Sequence, residues 1–142
     1  MKELNEKTAG KMLHPERVIQ FGEGNFLRAF VDWIIQKMNE NVNFNSSVVV
    51  VQPIDRGMVD MLNAQDCLYH VNLQGLDQGV AVDNLTMIDV ISRALNPYTE
   101  NEAFMKLAEQ PEMRFIISNT TEAGIAFDPS CKLTDVPASS YP

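Results

Sequence analysis

The fold is decided by the stretch Arg17-Val-Ile-Gln-Phe-Gly-Glu-Gly-Asn-Phe-Leu-Arg-Ala-Phe30. Residues 17–21 form a short apolar run that ends at a glycine, which predicts a buried strand. After the two glycines a helical pattern runs to about Met38, and its predicted apolar face consists of Phe26, Phe30, Trp33, Ile34 and Met38. A strand, a glycine turn and a helix in this order are the context in which paired glycines indicate a phosphate-binding turn.

The segments that follow continue the alternation of strands and helices. Residues 48–51 are four consecutive valines, typical of a strand that is covered on both faces. An asparagine-rich loop over 39–47 precedes this strand. A short helix is predicted after it, through Met58, Met61 and Leu62.

The second half of the chain adds a hairpin, a helix and a last strand. Residues 69–73 and 80–82 predict the hairpin, with its turn between Gly75 and Gly79, whereas residues 85–95 fit a strand or a helix equally well. A capping box at Thr99–Glu102 predicts a helix to about Gln110, and residues 113–118 predict a strand. This order favours an α/β fold, a Rossmann-like and mostly parallel sheet flanked by helices.

Composition excludes several classes of protein. A hydrophobic content of 45% with 21% charged residues is typical of a globular chain, and the net charge of −8 argues against a nucleic-acid partner. No run of apolar residues is long enough to span a membrane, and the N-terminus lacks the apolar core of a secretory signal. Two cysteines indicate a reducing, cytoplasmic environment. No His, Cys or carboxylate spacing indicates a metal site.

The glycine turn is the strongest candidate for a binding site. Gly22 permits a sharp exit from the strand, and Gly24 lets the backbone approach a pyrophosphate that a Cβ would block. The first amides of the helix then face the phosphates at the positive end of the helix dipole. The predicted cofactor contacts here are Phe21, Gly22, Glu23, Gly24, Asn25, Phe26 and Leu27. Because Leu27 replaces the usual third glycine, a plain strand-to-helix turn is the alternative.

Two further segments are predicted to border the same crevice. Asp55, at the end of the second strand, is a candidate acceptor for the adenosine ribose hydroxyls and would favour NAD over NADP. The neighbouring Arg56 would act in the opposite sense, and Asp55 alternatively caps the next helix. Asn119 and Thr120, after the last strand, are predicted to contact ribose or phosphate.

The number of strands also bears on domain organisation. A complete doubly wound dinucleotide domain needs more strands than this sequence supplies. Residues 1–142 are therefore expected to be a truncated NAD-binding domain of the Rossmann type, the N-terminal part of a two-domain enzyme.

Three blocks of the sequence resemble the long-chain mannitol dehydrogenase family. That family carries Gly-x-Gly-x-Phe-x-Arg-Ala after its first strand, and the matching residues are Gly22, Gly24, Phe26, Arg28 and Ala29. The segment Val51–Asp55 with Ala64–Tyr69 resembles a second block of the family, and Ser118–Ile125 resembles a third. Mannitol and fructuronate enzymes more often have His-Arg-Ala-His where this chain has Leu27-Arg-Ala-Phe30, which is closer to family members that act on D-tagaturonate.

The resemblance implies an NAD-dependent oxidoreductase that interconverts D-altronate and D-tagaturonate without a metal. Its partners would be a small sugar-acid substrate and its own helical catalytic domain, which lies outside this sequence. No residue here matches the family's catalytic motif, so no catalytic residue is predicted. The alternatives are a mannitol or fructuronate dehydrogenase of the same family, another Rossmann enzyme such as a methyltransferase that uses S-adenosylmethionine, and a non-catalytic nucleotide-sensing module.

Overall fold

A computed structural model describes residues 4–122, 124–125, 127–132 and 134–135. The strands in these residues are β1 (Glu16–Phe21), β2 (Ser47–Val51), β3 (Tyr69–Asp77), β4 (Val80–Ile88), β5 (Ile91–Leu95) and β6 (Phe115–Ser118). The helices are α1 (Glu6–Ala9), α2 (Asp32–Val42), α3 (Val59–Ala64) and α4 (Asn101–Met105). A π-helical segment, Leu27–Val31, leads directly into α2, and a 3₁₀ turn, Lys106–Glu109, extends α4.

Four strands form one parallel sheet in the order β5-β2-β1-β6. Counted along the chain, these are the third, second, first and fourth parallel strands, which is the order that begins a doubly wound dinucleotide fold. The strand order reverses between β1 and β6, and ligands of such sheets bind in the crevice outside the carboxyl ends at that point. The prediction of a mostly parallel, Rossmann-like sheet is confirmed. Strands β3 and β4 pair separately as an antiparallel ribbon.

The core lies on both faces of β2, as the run of valines predicts. Residues 48–51 are all 0% exposed. Because successive side chains of a strand point to opposite faces, alternate valines belong to different hydrophobic clusters. Val48 and Val50 pack with Ile35 of α2, and Val49 and Val51 pack with Leu107 of the 3₁₀ turn.

The predicted apolar face of the first helix is wrong at Phe26 and Phe30, although Trp33 of that face packs against the core. Phe26 and Phe30 are 56% and 53% exposed, whereas Leu27 and Ile35 are buried. The reason is the π-helical segment, in which the N–H of Asp32 bonds to the carbonyl of Leu27, five residues earlier. A face counted at the α-helical period drifts across such a segment. The helix also continues beyond Met38 to the end of α2.

Two other elements differ from the sequence-based expectation. The hairpin turns at Gln78–Gly79 because its strands are longer than predicted, and the ambiguous residues 85–95 divide between β4 and β5. The predicted capping box at Thr99–Glu102 is not formed, since α4 begins after Glu100 with no side-chain cap. The Glu100 carboxylate instead accepts from the N–H of Asn96 and closes the preceding turn. No helix in the described residues is long and apolar enough to cross a membrane.

Candidate functional site

A cavity of about 280 Å³ opens at the carboxyl ends of β1, β2 and β6. It lies at the point where the strand order reverses, so it is the crevice in which the fold predicts a ligand. Three segments that are far apart in the sequence meet there. The lining residues are Phe21, Gly22, Pro53, Ile54, Ser118, Asn119, Thr120, Thr121 and Gly124.

The segment after β1, residues 22–28, is called the glycine corner below. Its first residue, Gly22, has a φ of 113° and donates its N–H to the carbonyl of Val51 on the neighbouring strand. A residue with a side chain rarely adopts this φ, and a Cβ would lie 3.1 Å from the Leu27 side chain. Glycine at this position is therefore required by the turn itself.

The carbonyl groups of the glycine corner are used inside the protein. Gln20 Nε2 donates to the carbonyl of Gly22 at 3.1 Å, and Arg28 Nε donates to that of Glu23 at 2.8 Å. The backbone N–H of Arg28 donates to the carbonyl of Gly24 at 3.2 Å. In contrast, the N–H groups of residues 23–27 have no acceptor in the part of the chain that the structure describes. The corner thus leaves a row of backbone donors available to an anion.

Gly24 differs from Gly22 in what it requires. It does not adopt a positive φ, and a Cβ built on it meets no atom within 4 Å. Neither backbone conformation nor packing among the described residues accounts for glycine here. Close approach of a phosphate to the backbone does account for it. The residues present therefore fit a dinucleotide whose phosphates lie against the corner.

The side chains of the predicted cofactor contacts in the corner differ in their exposure and in their hydrogen bonds. Leu27 is buried and its side chain packs against Gly22, whereas the Phe26 ring is exposed and its centroid lies 5.3 Å from that of the Phe30 ring. Asn25 Oδ1 accepts from Arg28 Nη2 at 2.7 Å and so helps to fix the guanidinium. Within the corner, the backbone N–H groups are therefore most of the available donors, beside the Nδ2 of the exposed Asn25.

Glu23 holds the corner to the segment after β2, residues 52–58, which is called the second segment below. Its side chain is only 7% exposed, and Oε1 accepts from the N–H of Met58 at 3.2 Å. A Cβ on Gly57 would lie 2.2 Å from the same Oε1 atom. The Glu23 carboxylate is therefore committed to this contact, and Glu23 does not line the cavity.

Gln52 shapes the second segment from within. Its Nε2 donates to the carbonyls of Ile54 at 2.7 Å and Asp55 at 3.2 Å, and its Oε1 accepts from the N–H of Val59 at 3.3 Å. Sequence reasoning missed this residue, although a glutamine between a run of valines and a proline was a visible signal. Hydrogen bonds from the Gln52 and Glu23 side chains therefore hold the backbone of the second segment in place.

Asp55 lies on the second segment with its side chain exposed. It does not line the cavity, and its carboxylate has no partner among the described residues. The alternative role as a helix cap is wrong, because α3 begins after Met58 and has no side-chain cap. The carboxylate therefore remains available to a ligand that extends from the glycine corner over the end of β2.

The loop after β6 brings Asn119 and Thr120 to the cavity wall, as the sequence predicts. The Thr120 hydroxyl hydrogen-bonds to that of Ser118, and a Cβ on Gly124 would lie 2.6 Å from the Thr120 side chain. Glu122 is exposed. Contacts of Asn119 and Thr120 with a ligand remain a prediction. Among the described residues, no three His, Cys, Asp or Glu side chains are grouped so as to hold a metal ion.

A buried polar cluster lies behind the glycine corner, and sequence reasoning missed it. Asp32 is 0% exposed, and its Oδ2 lies 3.3 Å from Gln20 Nε2 and 3.1 Å from the hydroxyl of Tyr69. Burial raises the pKa of Asp32 to about 7, although hydrogen bonds from both neighbours and the charge of Arg28 oppose the shift. Asp32 Oδ1 and Gln20 Oε1 have no hydrogen-bond partner within the described part of the chain. No local sequence pattern indicates this cluster, because the burial of Asp32 depends on contacts with Gln20 and Tyr69, 12 and 37 residues away.

Comparison with known protein families identifies the family of the chain. A family model described as the mannitol dehydrogenase Rossmann domain matches residues 16–141. The chain belongs to the mannitol dehydrogenase family. Within this family it is 80% identical over 142 residues to the altronate oxidoreductases of Phocaeicola vulgatus and Bacteroides thetaiotaomicron, and 50% identical over 143 residues to that of Shigella sonnei. These matches cover the whole chain but only 30% of the length of each relative.

Two solved structures of related dehydrogenases share the fold of this family member. A substrate-free D-sorbitol dehydrogenase matches with a TM-score of 0.72 and 19% identity, over 91% of this chain and 29% of that one. The mannitol 2-dehydrogenase of Pseudomonas fluorescens, in a ternary complex with NAD and D-mannitol, matches with a TM-score of 0.66 and 25% identity. That match covers 78% of this chain and 23% of the other.

Proposed function

We propose that the chain is the cofactor-binding part of an NAD-dependent oxidoreductase that interconverts D-altronate and D-tagaturonate. The observation that carries the proposal is the row of unpaired N–H groups over residues 23–27, beside a Gly24 whose missing side chain leaves open space. The altronate oxidoreductases at 80% and 50% identity support the substrate, and the neighbour that holds NAD supports the cofactor. When bound, the dinucleotide supplies the hydride acceptor or donor.

Each segment around the cavity has a distinct part in this proposal. The corner amides of residues 23–27 bind the pyrophosphate, since backbone donors at the start of a helix favour an anion. Asp55 accepts from the ribose hydroxyls, and its negative charge disfavours the 2′-phosphate of NADP. Asn119 and Thr120 border the cavity from the other side and contact the ribose or phosphate.

The acidic balance of the chain is consistent with this division of work. A net charge of −8 attracts neither the phosphates nor an anionic sugar acid, so local backbone donors must supply the attraction. The cationic group that binds the substrate carboxylate, and the catalytic residues, are then expected in the further 70% or so of the length that the curated relatives have. We infer that residues 1–142 are an incomplete NAD-binding domain followed by a catalytic domain. The two cysteines support a cytoplasmic location.

The test uses the protein at the length of its curated relatives. Calorimetric titration with NADH, NADPH and S-adenosylmethionine is expected to give binding of NADH in preference to the other two. Reduction of D-tagaturonate, D-fructuronate and D-fructose is then compared under one set of conditions. Activity confined to fructose or fructuronate would replace the substrate and leave the family chemistry in place. Absence of NADH binding would reject the proposal as a whole.

A further inference from the structure

The hydroxyl of Tyr69 lies within hydrogen-bond distance of two acceptor oxygens. It lies 2.9 Å from the carbonyl oxygen of Arg28 and 3.1 Å from Asp32 Oδ2. A hydroxyl carries one hydrogen, so it donates to only one of these two acceptors at a time. If Asp32 is ionised, it accepts only, so the carboxylate and the Arg28 carbonyl compete for the one hydroxyl hydrogen; Oδ2 keeps the bond from Gln20 Nε2 in either case, whereas the carbonyl depends on Tyr69. If Asp32 is protonated, it donates to Tyr69, and Tyr69 donates to Arg28, so that both contacts are satisfied.

The carbonyl of Arg28 needs this donor because of the π-helical segment. In an α-helix the N–H of Asp32 would bond to the carbonyl of Arg28, four residues earlier. Here that N–H bonds to the carbonyl of Leu27 instead. Tyr69, from the first position of β3, supplies the hydrogen bond that the helix does not. The ring of Tyr69 also lies against the Arg28 guanidinium, 5.4 Å from its central carbon.

The same cluster reaches the carbonyls of the glycine corner. Gln20 Nε2 joins Asp32 Oδ2 to the carbonyl of Gly22, and Arg28, held by Tyr69, donates to the carbonyl of Glu23. We propose that Tyr69 and Asp32 are positioning residues for the dinucleotide, because the proton they share holds the corner with its carbonyls inward and its amides available. This inference rests on the proposed function.

The polar and titratable groups around Asp32 lie on three elements, and only Arg28 among them is charged. Arg28 lies on the same helix and favours the ionised carboxylate, whereas Gln20 of β1 is neutral. On β3, burial and the nearby Asp32 raise the pKa of Tyr69, so its hydroxyl stays a donor. Burial also raises the pKa of the Cys67 thiol, next to β3, to about 11, and that group is neutral too.

The sign of the pH dependence follows from this arrangement. Since the pKa of Asp32 is about 7, the carboxyl carries its proton below that pH and loses it above. The Tyr69 hydrogen is then drawn to the carboxylate, and the Arg28 carbonyl loses its donor. Binding of the dinucleotide is favoured by the protonated form, so affinity is expected to fall as the pH rises through about 7.

The experiment measures the NADH dissociation constant of the full-length protein between pH 6 and pH 8.5. For the natural sequence it is expected to rise about tenfold over this range. Tyr69→Phe removes the hydroxyl and keeps the ring, and is expected to weaken binding about tenfold at pH 6 with little pH dependence. Asp32→Asn has no proton to lose and is expected to give a flat profile, which separates Asp32 from the exposed His70 next to Tyr69. Tyr98→Phe removes a hydroxyl away from the corner and is the matched control, with affinity and profile unchanged.

A second measurement needs no dinucleotide. Hydrogen exchange at one pH is expected to be faster over residues 27–33 in Tyr69→Phe than in the natural sequence or in Tyr98→Phe. If the natural sequence binds NADH with no pH dependence, or if Tyr69→Phe keeps the natural affinity and profile, the positioning role is wrong and the proposed function stands. If neither the natural sequence nor Tyr98→Phe binds NADH at any pH, the proposed function is wrong. Unchanged exchange over residues 27–33 in Tyr69→Phe would independently reject the role of the hydroxyl.

Discussion

The glycine corner and the second segment follow neighbouring parallel strands, yet their hydrogen bonding is opposite. In the corner, the carbonyls of residues 22–24 accept hydrogen bonds, and the amides of residues 23–27 have no acceptor among the described residues. In the second segment, the amides of Met58 and Val59 are taken by Glu23 and Gln52. Its exposed side chains include the carboxylate of Asp55, next to the exposed Arg56. One strand end therefore offers donors, and the next offers an acceptor.

The glycines of the two regions teach the same lesson. Beside Gly24 there is open space, whereas beside Gly57 there are the Glu23 and Gln52 side chains. Gly24 follows a strand that ends at the cavity and is required neither by its backbone angle nor by a neighbour, which indicates a ligand, whereas the side chains against Gly57 indicate packing. A phosphate needs donors and a ribose needs acceptors, so the contrast matches the two ends of an adenosine diphosphate. Substitutions at these positions test whether the two regions are as different as the structure indicates.

Gly57→Val is expected to have the largest effect, and the effect should be on stability. The new Cβ would lie 2.2 Å from Glu23 Oε1 and 2.4 Å from Gln52 Oε1. These side chains can shift only by giving up their bonds to Met58 and Val59, which at 1–3 kcal/mol for each buried group left unpaired lowers the free energy of unfolding by about 3 kcal/mol. Urea unfolding measures the change. Gly75→Val, at another glycine with open space, is the control and should change it by less than about 1 kcal/mol. Equal effects of the two variants would show that the second segment is not packed in this way.

Gly24→Val is expected to lower the NADH affinity and to leave the stability of the protein unchanged. Nothing in the described residues obstructs the new side chain, so the free energy of unfolding should stay within about 0.5 kcal/mol of the natural value. The NADH affinity should fall at least ~100-fold, about 2.7 kcal/mol, because the side chain occupies the space of the pyrophosphate. Calorimetry gives the affinity, and Gly75→Val again serves as the control. Unchanged NADH affinity in Gly24→Val would remove the corner from the binding site.

The sequence predicts those parts of the molecule whose structure depends on residues that are close together in the sequence. Four consecutive valines predict β2, and the paired glycines predict both the turn and its place at the cavity. The exposure of Phe26 and Phe30 is not predicted, because it follows from the π-helical segment, in which the Arg28 carbonyl accepts from Tyr69, 41 residues away. No local pattern contains that contact.

The candidate site divides in the same way. Gly22, Asn119 and Thr120 line the cavity as expected, since parallel strands place their carboxyl ends at one edge of the sheet. The bond from Glu23 to Met58 joins the corner to the second segment, and the burial of Asp32 follows from contacts of the helix with β1 and β3. Such contacts need the assembled sheet, so single-sequence reasoning identifies the backbone of the site and misses what holds it.

Asp55→Ala is the mildest test and the one most specific to the second segment. The side chain is exposed, so the free energy of unfolding should be nearly unchanged. Loss of the acceptor and of the negative charge is expected to weaken NADH binding about tenfold, about 1.4 kcal/mol, and to leave NADPH binding unchanged or stronger. Asp60→Ala, at an exposed carboxylate in the first turn of α3, removes the same charge nearby and should alter neither affinity. If both variants shift the NADPH to NADH ratio equally, the preference reflects net charge, and the second segment contributes no specific acceptor. If only Asp55→Ala shifts it, the donor-and-acceptor contrast between the two strand ends is the basis of cofactor choice.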